Sequence, residues 1–181
     1  LHLTYIVKVP SDDFTHYGYT ERGEMYLRNW FLTPARFENH AFTTYNNLNL
    51  DDIANAVSDF DILLRIIHSP GKQAKKTELT TDLNEEKTTQ FENFSIYKLN
   101  GKNRTDFSIF LEPKTSFVSV KNSSIEVLTN IRGYKADEIQ KAIAIDKVVN
   151  FTNNLVGKPH YEKIIVSQAD YDRNPFYGLI Q

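Results

Sequence analysis

The chain has 181 residues, of which 40% are hydrophobic and 24% charged, with a formal net charge of −2. That is enough chain for one large domain or two small ones, each able to bury a real core, and the balance is that of a globular protein. The near-neutral charge gives no general attraction to nucleic acid or anionic membrane, and the lack of cysteine excludes disulfides, thiolate nucleophiles and cysteine-based zinc sites within the chain.

The first two-thirds read as β. HLTYIVKV alternates, with Leu3, Tyr5, Val7 and Val9 on one face, and Pro10 ends that strand because it cannot donate to a ladder. YLRNWFLTPARF (residues 26–37) is the densest aromatic stretch and holds Trp30. It reads first as core and second as a stacking platform for sugar or peptide. LDDIANAV (residues 50–57) has the look of a short capped helix. DFDILLRIIH places Phe60, Ile62, Leu64 and Ile66 on one face, and Leu63 with Ile67 on the other suggests that both faces are covered. KQAKK (residues 72–76) reads as a solvated loop. SIYKL and TDFSIFL flank Asn100-Gly101, which predicts a hairpin turn between them. SFVSV and SIEVLTNI follow as strands, the latter with Ile125, Val127, Thr129 and Ile131 in register. About seven short strands predict a sandwich or a large open antiparallel sheet.

Character changes near Arg132-Gly133. From Lys135 to Val156, Ile139, Ala142, Ile143, Val149, Phe151 and Leu155 recur at helical spacing. Asp137 and Glu138 favour the first turn, Gly157 suits the residue after the helix, and Pro159 prevents its resumption. EKIIVSQ then carries the apolar centre of a buried strand, Ile164-Ile165-Val166. The fold class expected is therefore α+β and mainly β: an antiparallel β domain over residues 1–132, then an opening α–β unit over residues 133–181. That unit cannot bury itself alone, and a chain starting at Leu1 reads as beginning inside a longer one.

Little local chemistry stands out. His2, His16, His40, His68 and His160 form no pair at helical spacing, so no local zinc site is encoded, and each reads as a surface or packing residue. No Gly-rich phosphate loop or nucleophile elbow occurs. The acidic groups at residues 11–13, 50–52 and 84–86 read as turn chemistry rather than as acid–base or calcium sites.

The order of parts carries more than any single residue. LRNWFLTPARF, around Arg28, Trp30 and Pro34, SIFLEPKTSFVSVK, and NFTNNLVGKPHYEKIIVSQ with Gly157 and Pro159 together resemble the gluzincin aminopeptidases, the family of membrane alanyl aminopeptidase. They look closest to a bacterial, Bacteroidetes-type branch of those zinc peptidases. After the strand, that family places a G-x-M-E-N loop that holds substrate, and RNPFYGL (residues 173–179) falls at this place. Asn174 and Gly178 are present there, but the Met-Glu-Asn core is not, and the Glu that grips a substrate's amino end has no match.

The resemblance implies a non-catalytic N-terminal portion of a zinc metallopeptidase, inactive alone. Its β domain would wall the cleft, and Asn174, Tyr177 and Gly178 would edge the peptide groove. It assigns no metal ligand and no catalytic residue to this chain: the zinc, its H-E-x-x-H helix and the later Glu belong to the parent enzyme. It also implies a bacterial cell-envelope location. The alternative is a stand-alone β-sandwich binding or adhesion module built around Trp30, or a purely structural β domain. No nucleic-acid partner and no membrane span are expected.

Overall fold

A computed structural model describes residues 1–13, 16–28, 30–44, 54–68, 77–121, 124–132, 137–158 and 162–173. The strands are β1 (Gly18–Tyr19), β2 (Met25–Arg28), β3 (Phe37–Glu38), β4 (Ala41–Phe42), β5 (Ser58–Ile67), β6 (Glu78–Thr81), β7 (Asn84–Gln90), β8 (Phe94–Arg104), β9 (Ser108–Glu112), β10 (Val118–Lys121), β11 (Glu126–Thr129) and β12 (Lys163–Val166). Two helices, α1 (Glu138–Val156) and α2 (Gln168–Arg173), flank β12. The protein is α+β and mainly β, with mostly antiparallel sheets.

Its centre is one long hairpin, bent in the middle. β7 and β8 pair from Asn84–Asn100 out to a tip at residues 91–93, and the same two strands continue as β6 and β9, which pair from Thr81–Ile109 down to Glu78–Glu112. β5 adds to β8 on one half, and β2 adds to β9 on the other. The resulting sheets run β5-β8-β7 and β1-β2-β9-β6.

The bend is stitched by buried polar groups. At the inside of the corner, Asp82 accepts from Arg104 Nη1 (3.0 Å) and from the Ser108 N–H (2.9 Å), while Arg104 Nη2 donates to the Asp82 carbonyl (2.6 Å). Burial pushes the Asp82 carboxyl up despite the lowering pull of these donors. Thr81 Oγ1 donates to the Ser108 carbonyl (2.7 Å) and accepts from the Leu83 N–H (3.2 Å). Leu83 fills the corner with no solvent exposure. A Cβ at Gly101 would sit 2.5 Å from Leu83 Cδ2 and 2.8 Å from Arg104 Cδ, so any larger residue there requires these side chains to shift.

Alternation then builds two cores on opposite faces of β9. Ile109 joins Leu27, Leu83, Tyr97, Leu99 and Phe107 in one, with Phe60, Ile62, Leu64 and Ile66 of β5 packed against it. Phe110 joins Tyr17 and Phe117 in the other, under Leu128 and Ile165. β9 is thus buried on both faces, and a third sheet, β10-β11-β12, covers its far side. β12 lies parallel to β11, with α1 as the crossover. Asp137 caps α1 by accepting from the Gln140 N–H (2.7 Å), and Gln140 Oε1 accepts from the Asp137 N–H in return. Gly157 follows the helix at φ +90. α1 leaves Ile139, Val148, Phe151, Leu155 and Val156 largely exposed.

Several expectations are corrected. The first ten residues form no strand: Ile6 is 98% exposed, and alternation without a partner edge does not make a ladder. That segment reaches the sheet only at its end, where the Tyr19 N–H donates to the Pro10 carbonyl and Ser11 bridges Tyr19. Asn100-Gly101 lies inside β8 rather than at a turn. The turn falls at residues 91–93, closed by the Phe91 N–H donating to the Phe94 carbonyl (2.9 Å), because Gly101 stands against Leu83 and Arg104 at the corner instead. Asn55 makes an extended bridge to Ala35 where a helix was expected, since residues 34–36 offer it a partner strand; residues 50–53 lie outside the described set. Leu63 and Ile67 are 72% and 74% exposed, so the second face of β5 is open rather than covered. Residues 84–86 begin strand β7 rather than a turn. Asp137 caps α1 from outside its first turn. KQAKK lies outside the described residues.

Replacing Gly101 by Ala is expected to destabilise the protein by about 1–3 kcal/mol in urea unfolding through overpacking of the corner. An unchanged midpoint would show that Leu83 and Arg104 yield without cost.

Candidate functional site

The residues singled out from sequence do not assemble into a described site. Asn174, Tyr177 and Gly178 lie outside the described residues, directly after α2. His2, His16, His40 and His68 are scattered, His68 Nε2 meeting Ser95 Oγ at 2.9 Å, and His160 lies outside the described set. Among the described residues no three His, Cys, Asp or Glu side chains come together to hold a metal. Trp30 packs as an aromatic of the core: it meets Phe31 edge-on at 5.8 Å, and Phe31 stacks on Phe107 at 4.0 Å.

The polar chemistry gathers instead around Asp170 on α2. Ser167, at the carboxyl end of β12, is fully buried; its Oγ accepts from the Asp170 N–H (3.0 Å) and donates to Asp170 Oδ2 (2.7 Å). The chain therefore turns sharply from strand into helix and aims the carboxylate back at the β region. There Asp170 Oδ1 accepts from Tyr17 OH (2.5 Å) and from Arg28 Nη1 (3.0 Å). Arg28, the last residue of β2, also donates through Nε to Asp106 Oδ2 (3.1 Å). Arg28, Asp106 and Asp170 border a cleft of about 360 Å³ that is completed by Asp82, Arg104, Ser108, Ile164 and Ile165.

The electrostatics favour a held charge pattern over proton transfer. Burial, then the hydrogen bond to Asp170, pushes the Tyr17 phenol far up, which keeps it a donor. Burial pulls the Arg28 guanidinium down, but Asp106, Tyr17 and Asp170 more than offset this and hold it charged. Both Asp170 oxygens are engaged by donors, Oδ1 by Tyr17 and Arg28 and Oδ2 by Ser167. What the arrangement does is bind α2, through Asp170, to Arg28 of β2 and to Tyr17 just before β1.

Sequence reasoning missed this network because Tyr17, Arg28, Asp106 and Asp170 are far apart in the chain. One signal was available: Ser167 and Asp170 stand in the S-x-x-D spacing of a capping motif. No known protein family, curated protein or solved structure matches the chain.

Tyr17 and Tyr26 share the upward shift, Tyr26 through burial and then its bond to Glu24. Each contributes stability that is complete below the ordinary phenol value of 10.0 and is lost as pH rises beyond it, because the unfolded chain ionises first. Unfolding midpoints are expected to fall between about pH 9 and about pH 11, and less steeply in Tyr17→Phe. At neutral pH, Asp170→Asn is expected to cost about 1–3 kcal/mol in urea unfolding, because Arg28 loses a charged partner.

Proposed function

We propose that this chain serves a gluzincin-type zinc metallopeptidase as its non-catalytic portion, its β region walling a cleft in which the parent enzyme hydrolyses peptide bonds by metal-activated water. The observation that carries the reading is the β11–α1–β12 unit. A parallel strand pair with a crossover helix follows a mainly antiparallel region, in the order of parts that the sequence resemblance implies.

Three further features support it. Ligands of parallel α/β units bind beyond the carboxyl ends of the strands, and at that end of β12 the chain runs through α2 into RNPFYGL. The Arg28–Asp170–Tyr17 network ties this end to the β region, so the groove edge and its wall would move as one body. The exposed apolar face of α1 would be covered by the rest of the peptidase domain. In this reading Asn174, Tyr177 and Gly178 edge the peptide groove, and the zinc ligands lie in the parent. Trp30 packs partly buried against the core, which supports this reading over the adhesion one.

The test is made on the protein at the length its gene encodes. It is expected to hold about one zinc per chain and to cleave peptides until a chelator removes the metal. Residues 1–181 alone are expected to do neither. An encoded protein without zinc-dependent cleavage, or zinc-dependent cleavage by residues 1–181 alone, overturns the proposal.

A further inference from the structure

The sheet β5-β8-β7 has two edges of opposite character. β7, NEEKTTQ, is polar and is bulged between Glu85 and Lys87, both of which discourage pairing with another strand. β5 is ten residues long and contains neither lysine nor proline. Among the described residues no strand pairs with its other edge. Leu63 and Ile67 stand about three-quarters exposed on its outer face, and Phe60, Ile62, Leu64 and Ile66 are only half-buried on its inner face. A long edge without lysine or proline, apolar at every position from Ile62 to Ile67 except Arg65, accepts a further strand.

The side-chain order of β5 selects the occupant. On the outer face Asp61, Leu63 and Arg65 follow in sequence, so the charges are opposite in sign and symmetric about Leu63. We propose that β5 pairs antiparallel with β5 of a second copy of this chain, about a two-fold axis through Leu63. Asp61 then faces Arg65 of the other copy twice, and Leu63 faces Leu63. On the inner face Phe60 meets Ile66, and Ile62 meets Leu64, so the core continues from one copy into the next.

Neighbouring registers fail on physical grounds. A shift that pairs odd with even residues turns the polar face of one copy onto the core side of the other. An axis through Asp61 or Arg65 sets like charges opposite each other. An axis through Ile62 needs Asp59, which sits at the irregularity between Ser58 and Phe60 and already accepts from the Asn103 N–H at 2.9 Å. An axis through Leu64 sets Arg65 opposite Leu63. The interface uses residues 60–66 alone and does not depend on the peptidase reading.

Sedimentation velocity on the wild-type chain is expected to show a concentration-dependent dimer. Asp61→Arg and Arg65→Asp each place two like-charge pairs across the axis and are expected to weaken dimerisation on the order of tenfold. An equimolar mixture of the two single variants restores every opposite-charge pair, as does the double variant Asp61→Arg/Arg65→Asp, so both are expected to dimerise like wild type. The substituted residues are exposed, and circular dichroism checks that each variant folds. A monomeric wild type, a dimer indifferent to the single substitutions, or single variants that stay monomeric when mixed overturns the proposal.

Discussion

The buried pair of Asp82 and Arg104 is the constraint on which the rest of this fold depends. It sits inside the corner where one long hairpin changes sheet. A continuous ribbon would leave its apolar residues on one flat face; the bend brings Tyr97 and Leu99 of β8 into the same core as Leu27 of β2 and Ile109 of β9. The turn must be tight, so charge, glycine and leucine all act at one point. Arg104 bridges to the Asp82 carboxylate and carbonyl, Ser108 satisfies the second carboxylate oxygen, and Gly101 leaves room for Leu83. Removing one partner of such a buried pair typically costs about 3–5 kcal/mol, because the other charge stays buried without it. Here it would also release the geometry of two sheets.

A second polar joint lines the same cleft and works with a different logic. Asp170 is only half-buried, and its partners come from three separate stretches of chain. The joint does not create a core. It fixes the direction in which β12 and α2 meet the β region, beside the packing of Ile165 and Leu128 against the Tyr17, Phe110 and Phe117 cluster. Apolar contact supplies the attraction between these layers, and the charged hydrogen bonds supply the angle.

Two surfaces are apolar and open. α1 is well capped at its start, yet much of its apolar stripe meets solvent, and β5 shows leucine and isoleucine on a face expected to be covered. Both were legible as apolar patterns. Neither pattern says whether its cover comes from the same chain, from a longer parent or from a second copy. Periodicity reports that a face is meant for burial and is silent about the partner.

From residue order alone came the strand period of β5, the alternation through Ile125 and Val127, the end of α1 at Gly157 and the mainly β class, because each rests on local spacing and backbone preference. The aromatic core around Trp30 was legible in the density of rings along residues 26–37, which pack on one another. Only the tertiary structure decided that HLTYIVKV stays out of the sheets, that Asn100-Gly101 serves a corner instead of a turn, and that Tyr17, Arg28 and Asp170 meet. Those outcomes depend on which partner strand is available and on contacts between residues more than a hundred positions apart, and no local pattern in a single chain encodes either.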